Sequence, residues 1–567
     1  MTKEQSFELK FTPGLPLDKS PYPGLDERTY TLPKGTVVKE GAMPLAADVV
    51  IDQDTPVQLR DGAVIRADIY RPNDDDPHPT IMWYAPYGKR GSLLNMDAFE
   101  HPTRMDVPRS WEDGLNSFEA PNPSYWVSHG YVVVSPDPRG IGMSEGNAYA
   151  WGSGQTKDEY DLIEWIAEQP WSNGKIGLTG TSYLAMSQYA VAGANPPHLA
   201  AIAPWEGALS PYKDTILRGG IPDVGFSQSL SGGIYSNTLV EDVPAMASEH
   251  PFYDAYWADK DPDVAAASAP AYVVASWTNA VHSQGGIQAF QELGSKDKWL
   301  RISNTHEWTD YYNPEHVEDL RKFFDHYLRG RDNGWENTAP VRMSVLDPLN
   351  GDIVDRPESS FPEAEEHDLY LVRDNNALAL SAAPQATEDS ASYDADDGDG
   401  IRFTYTFEED VEWIGYASLR LWFEIEEGHD ADVYAYVRKL DATGSAIECK
   451  VVTGRTYPGP NGQVRASLRE IDEEASTPLS PKLKLEGPAS VEPRTPIALE
   501  IPFWPFGMRW NAGESLELQI CPSSKIVRPE FPKMPPSPPI GVGKQTIRFG
   551  GAYDSVLRIP VARSSSR

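Results

Sequence analysis

Between about Val49 and Leu346, short apolar runs alternate with stretches of helical period, the pattern of strands and helices taking turns around a parallel sheet. The runs predict strands at Val64–Tyr70, Thr80–Ala85, Tyr131–Ser135, Lys175–Thr179, Leu199–Ala203, Ala271–Ala275 and Trp299–Ile302. Of the helices between them, Asp158–Ala167 puts Leu162, Trp165 and Ile166 on one face and acids in its first turn, where the positive end of a helix favours them. Glu315–Leu328 ends in a basic turn before Gly330, a natural C-cap, and Ser283–Leu293 is a further helix. Beyond Leu346 the helical period vanishes. Runs at Ser418–Glu424, Asp432–Lys439, Ile497–Ile501, Ser515–Ile520 and Ser555–Val561, with turn residues between, predict an antiparallel β-sandwich. Residues 1–48 are rich in proline and polar residues without a period, and read as an extended arm. The expected division is therefore 1–48, 49–346 and 347–567. Ala382–Gly400 is acidic and turn-forming, a surface loop. Pro522–Pro539 holds seven prolines, which lack the N–H a central strand must donate, so it reads as a rigid excursion.

Composition narrows the function. A chain of 567 residues exceeds what one core supports. Its 84 acidic against 49 basic residues give a net charge of −35, which repels phosphate backbones and anionic lipid. Neither a nucleic-acid partner nor a membrane is expected. Cys449 and Cys521 are too few for a disulfide framework or a four-thiolate metal site, and the 11 histidines lack metal spacing. Gly140–Gly146 resembles a dinucleotide loop but has Glu145 where the third glycine is needed. Asp394–Gly400 resembles a calcium loop with its glycine misplaced and no closing glutamate. No cofactor or metal is expected. Met1–Gly14 has no apolar stretch of a secretory leader, and no run approaches the roughly 20 apolar residues of a membrane span. The expectation is a cytoplasmic protein acting on a small molecule, with homo-oligomerisation left open.

The stretch Lys175–Ala194 is the most informative. An apolar strand runs into Gly180-Thr181-Ser182 and then into a helix dense with small residues, the setting of a nucleophile elbow. A tight strand-to-helix turn brings backbone atoms close, which explains Gly180. It lifts the Ser182 hydroxyl out of the sheet beside the positive end of the helix. The first N–H after the serine then faces the point where an ester carbonyl becomes an oxyanion. The triplets at Gly142–Ser144 and Gly225–Ser227 lack that context. The glycine usual two residues after the serine is missing, since Leu184 stands there and Ala185 follows.

A serine nucleophile needs a base and an acid, each on a loop after a later strand. Ala271–Ala275 opens into Ser276-Trp277-Thr278-Asn279, and Trp299–Ile302 into Ser303-Asn304-Thr305-His306. His306 is thus the expected base. The acid's place holds Asn279, whose amide oxygen can orient an imidazole but cannot stabilise its charged form, a swap that costs a serine protease roughly 10⁴ in turnover. Glu206 is the substitute acid on topological grounds, and Asp310 is near His306 in sequence. His282, three residues after Asn279, reads as a substrate-pocket residue or as a helix-start histidine without a catalytic role.

The segments Ala85–Lys89, Asp137–Gly140, Gly180–Leu184, Ser276–Asn279, Phe324–Leu328, Trp504–Gly513 and Gly550–Pro560 resemble the cocaine-esterase and X-prolyl dipeptidyl-peptidase family, the CocE/NonD-type hydrolases. The resemblance implies an α/β-hydrolase domain, a helical cap after the sixth strand at about 208–263, and a C-terminal jelly-roll sandwich. It also implies Ser182 as nucleophile, His306 as base, Asn279 where the family has aspartate, and an oxyanion hole from the Tyr87 hydroxyl and the Tyr183 N–H. Ala185, where a glycine is common, suggests looser helix packing. The resulting expectation is a serine hydrolase of esters or amides. The alternatives are an X-prolyl peptidase using cap acids such as Asp214, Asp223, Glu241 or Asp242, an acyltransferase, and a binding protein whose catalysis has weakened.

Overall fold

The computed structural model describes residues 7–20, 22, 24–90, 94–99, 104–453, 455–526 and 538–562. The chain forms two compact units. The first holds the chain up to Pro211 with Phe226–Glu249 and Ala255–Pro340; the second holds Tyr212–Gly225, His250–Asp254 and the chain from Val341. Parts of the expected 208–263 insertion therefore fall in each.

In the first unit the strands are β1 (Phe11–Pro13), β2 (Arg28–Leu32), β3 (Val49–Gln58), β4 (Val64–Arg71), β5 (His78–Met82), β6 (Val132–Asp137), β7 (Ser172–Thr181), β8 (Leu199–Trp205), β9 (Leu239–Glu241), β10 (Ala271–Ser276) and β11 (Lys298–Ser303). Its main sheet runs β11-β10-β8-β7-β5-β6-β4-β3-β2. The block from β11 to β6 is parallel, and β4, β3 and β2 add antiparallel. Every residue of β6 and β10 is buried. That burial on both faces is why these strands read as unbroken apolar runs rather than alternating ones. In a parallel block all carboxyl ends share one edge, so the loops after β5, β7, β8, β10 and β11 open together. The arm is drawn into this unit by β2 on β3 and by β1 on β9.

Two predicted elements shift for visible reasons. β5 ends at Met82, not Ala85, because the Tyr84 carbonyl accepts the Ser187 hydroxyl instead of a ladder bond. The helix expected from Asp158 starts at Gly152, where the Gln155 side chain accepts the Trp151 N–H and caps it. The helix Pro314–Arg329 ends as expected, with Gly330 left-handed at φ 63. It packs on β7 through Gly177, where a Cβ would lie 2.7 Å from Phe324.

The second unit is a β-sandwich. Val411–Ile425 pairs with Ile497–Trp510 on one side and with Val556–Ala562 on the other, so the sheet returns on itself and leaves fewer open edges. Leu419, Leu421, Phe423 and Ile425 are buried between more exposed Arg420, Trp422 and Glu424, the alternation that marks a half-buried strand. The stretch expected as an acidic loop contains a strand, Asp389–Asp394, paired with Lys544–Phe549. Its Tyr393 is buried, an inward anchor that the surrounding acids obscured. Most of the proline-rich Pro522–Pro539 stretch lies outside the described residues. Among the described residues no helix is long and apolar enough to cross a membrane.

Candidate active site

Ser182 sits at a strained elbow between β7 and the helix Tyr183–Gly193, at φ 61 and ψ −123. Its N–H donates to the carbonyls of Trp205 and Glu206, at 3.2 and 3.1 Å, and these bonds lock the turn to the end of β8. Gly180 has φ 144, and a Cβ there would sit 2.5 Å from Leu184, so only glycine fits. The expected looseness at Ala185 is absent. The compensating glycine is Gly207 on the facing loop, where a Cβ would lie 2.7 Å from the Ala185 methyl, and Ala185 is fully buried.

The Tyr87 phenol reaches Ser182 from the loop after β5. Burial is the main cause that pushes it well above its ordinary value, so it stays a donor. The Tyr183 N–H is the first of the helix. Its ring stacks on Trp151 at 5.2 Å and its hydroxyl donates to Gln155 at 2.6 Å, which fix the residue that carries that N–H. Behind Tyr87, the Lys89 ammonium is wholly buried and lies 2.5 Å from Asp54 and 3.0 Å from Asp137. Burial opposes its charge, but Asp137 and Asp68 outweigh it and hold the ammonium protonated. Burial raises Asp68 to about 6.

The imidazole on Ser182 is that of His282. Its Nε2 lies 3.1 Å from the serine oxygen, and the residue is buried. The expected partner, His306, caps the helix Glu307–Tyr312 instead, its Nδ1 accepting the Trp308 N–H at 3.3 Å. Its ring packs against Trp308 at 4.9 Å, next in line to Phe118 and Tyr87. Asn279 does not orient His306. Its amide oxygen accepts the N–H groups of Val281 and His282, at 2.9 and 3.1 Å, and starts the turn into the helix Ser283–Glu292. Its NH₂ donates to Glu307 at 2.9 Å and to Glu206 at 3.4 Å. Two backbone donors on one side and two carboxylates on the other leave a single way for this amide to face.

Glu206 is buried against Ser276 and Asn279, and burial, the largest cause, raises it well above the carboxylate range. Asp310 is occupied too: burial works to raise it, but Arg301 and His316 hold it far below its ordinary value. Sequence reasoning missed Glu307, which adjoins His306 in the chain and lies 3.6 Å from His282 Nε2. It also read His282 only as a substrate-pocket residue or a helix-start histidine, not as a partner of the serine. The signal was present in both loops, since each carries an imidazole or carboxylate within three residues of the expected one.

Residues 61–234 match the family model described as X-Pro dipeptidyl-peptidase (S15 family), and residues 333–558 the model for the X-Pro dipeptidyl-peptidase C-terminal non-catalytic domain. A crystal structure of a CocE/NonD family hydrolase from Staphylococcus aureus aligns with a TM-score of 0.87 at 30% identity, covering 97% of this chain and 99% of that one. This chain belongs to the CocE/NonD family of serine hydrolases. It is 32% identical over 157 residues to cocaine esterase of Rhodococcus sp. (strain MB1 Bresler), a match covering 28% of this chain and 24% of the esterase. It is 24% identical over 287 residues to a putative Xaa-Pro dipeptidyl-peptidase of Rhodopirellula baltica, covering 44% and 45% respectively. The chain thus spans about a quarter and under half of these two curated relatives. Within this CocE/NonD scaffold the elbow is built tightly, and the polar partners beyond β10 and β11 are arranged differently from the expectation.

Proposed function

We propose that this CocE/NonD hydrolase cleaves a carboxylic ester or amide of a small molecule through an acyl-enzyme on Ser182. The observation that carries the reading is one buried imidazole nitrogen 3.1 Å from a serine oxygen held at a strained strand-to-helix turn. In the first half-reaction the Ser182 oxygen bonds to the carbonyl carbon and its proton passes to an imidazole. The carbonyl π pair moves to oxygen, which the Tyr87 hydroxyl and the Tyr183 N–H stabilise. Collapse expels the alcohol or amine, which takes the proton back. Water, deprotonated by the same imidazole, then attacks the acyl carbon and restores Ser182. By family order the imidazole is His306; by hydrogen bonding it is His282.

The X-prolyl alternative needs a free carboxylate for the substrate ammonium. Glu241, one of the acids in question, is engaged by Lys260 at 2.8 Å, the Tyr256 hydroxyl at 2.9 Å and the Ala150 N–H at 2.9 Å, which counts against that residue as the ammonium's partner. A fluorophosphonate probe should label the wild type and leave Ser182→Ala unlabelled, and p-nitrophenyl acetate should be turned over faster than a proline nitroanilide. Equal labelling of the two proteins would remove the reading.

A further inference from the structure

We propose that the loops after β10 and β11 have exchanged their roles in this chain. His282, on the loop where an acid is expected, is the base of Ser182. Glu307, beside the expected base, is the carboxylate that stabilises the charged form of His282. The proposal rests on the Ser182 acyl-enzyme reading and assigns its proton carrier.

Three observations carry it. The first is contact: the hydrogen bond of Ser182 goes to His282 Nε2, at the distance a general base requires. The second is tautomer. His306 Nδ1 accepts the N–H of Trp308, so the proton of a neutral His306 sits on Nε2. A serine base must present a bare Nε2, and that backbone bond holds His306 in the opposite form. The third is charge. As His282 takes the serine proton on Nε2, that nitrogen becomes positive 3.6 Å from the Glu307 carboxylate, which favours the charged form through its charge alone and not through a bond to Nδ1. The carboxylate is held there by the Asn279 NH₂ at 2.9 Å.

This also accounts for asparagine at position 279. Its two ends tie the loops together: the amide oxygen binds the His282 N–H, and the NH₂ binds Glu307. An aspartate could make only the first contact. The proton path balances without another group. His282 Nε2 receives the Ser182 proton during acylation and passes it to the leaving alcohol or amine. It takes one from water in deacylation and returns it to Ser182. Glu307 never titrates in the cycle, so it is a positioning residue that acts through His282. The other groups around this pair are Glu206, which burial raises above the carboxylate range and which accepts from Asn279, and Tyr87, whose hydroxyl reaches Ser182.

The test compares fluorophosphonate labelling rates and the p-nitrophenyl acetate burst for wild type, Ser182→Ala, His282→Gln and His306→Gln, with circular dichroism on each. His282→Gln should slow acylation by about 10³-fold or more, and His306→Gln by about tenfold. If His282→Gln does not fold, His282→Asn takes its place. The reverse ranking, or equal losses, overturns the exchange while labelling at Ser182 leaves the hydrolase reading standing. A wild type that is not labelled at all overturns both. For Glu307→Gln the readout is the pH profile of kcat/KM. A nearby carboxylate favours the imidazolium. Removing that charge should move the acid limb of the profile to lower pH. A lowered plateau with an unmoved limb would show that Glu307 only supports the fold, and would overturn its half of the proposal.

Discussion

Ser182 and Tyr87 hang from the ends of β7 and β5, in the middle of the parallel block, and backbone geometry fixes them. Gly180 at φ 144, Ser182 at φ 61 and two bonds from its N–H to the Trp205 and Glu206 carbonyls leave the serine no other place. Asn279, His282, His306 and Glu307 lie beyond β10 and β11, where the backbone sets only the neighbourhood. There the outcome depends on which side chain binds which: one amide between two carboxylates, one imidazole on a serine and another on a helix N–H. A position dictated by steric constraint has few alternatives. A position dictated by polar partner choice has several of similar energy, and one substitution, here an asparagine, redirects all of them.

The strongest way to break the backbone-built half is to remove its buried cation. Lys89→Met leaves Asp54, Asp68 and Asp137 in the interior with Arg90 as their remaining basic neighbour at Asp54 and Asp68. Losing one partner of a buried ion network costs about 3–5 kcal/mol, so denaturant unfolding should show a loss of that size. A loss under about 1 kcal/mol would mean that the charges do not brace the Tyr87 loop. Next in size is Tyr87→Phe. Deleting one oxyanion donor costs about 2.7–4 kcal/mol of transition-state stabilisation, so kcat should fall by about 10²–10³ with KM little changed. A rise in KM alone would instead make the phenol a ground-state contact.

Most of the fold, and this half of the site, was legible in the sequence. Gly180, Ser182 and the small-residue helix after them are direct consequences of the elbow's sterics, and the buried strands show as unbroken apolar runs. The pairing of Ser182 with His282 was not legible, because no local pattern distinguishes a histidine that begins a helix from one that serves a serine. His282 and Asn279 are three residues apart, and either could have faced the elbow. The strand Asp389–Asp394 was missed for a related reason: its outward residues are acidic, and only Tyr393 marks the inner face.

The polar half can be sharpened by Asn279→Asp. If position 279 were a vacant acid site, the aspartate would complete a triad and raise turnover. In this structure it would instead put a third acceptor beside Glu206 and Glu307, and neither carboxyl would keep the hydrogen bond it receives from the Asn279 NH₂. Stability should fall by about 1–3 kcal/mol, and kcat should fall with it. A gain in kcat would show that the loops rearrange into the order expected from the family.

The smallest effect separates Glu206 from the chemistry altogether. Its carboxyl is buried, bonded to Ser276 and Asn279, and raised well above its ordinary value chiefly by burial. A glutamine has the shape of the protonated acid, so Glu206→Gln should change kcat by no more than about 1 kcal/mol, or about fivefold; a substitute acid for the base would lose far more. The variant should still leave a trace in stability. Because the folded-state pKa is raised, the unfolded chain ionises first. The contribution of Glu206 is therefore complete below the unfolded value of about 4.3 and is lost as pH rises towards the folded one. Glutamine cannot ionise. Denaturation midpoints from pH 4 to 8 should therefore fall less steeply with pH in Glu206→Gln than in the wild type. Other raised carboxyls, such as Asp68 and Asp113, both at about 6, act on both proteins alike, so the difference between the two curves belongs to Glu206. Parallel curves would place a charged carboxylate behind Asn279, where it would compete with Glu307 for the amide and share the stabilisation of the imidazolium.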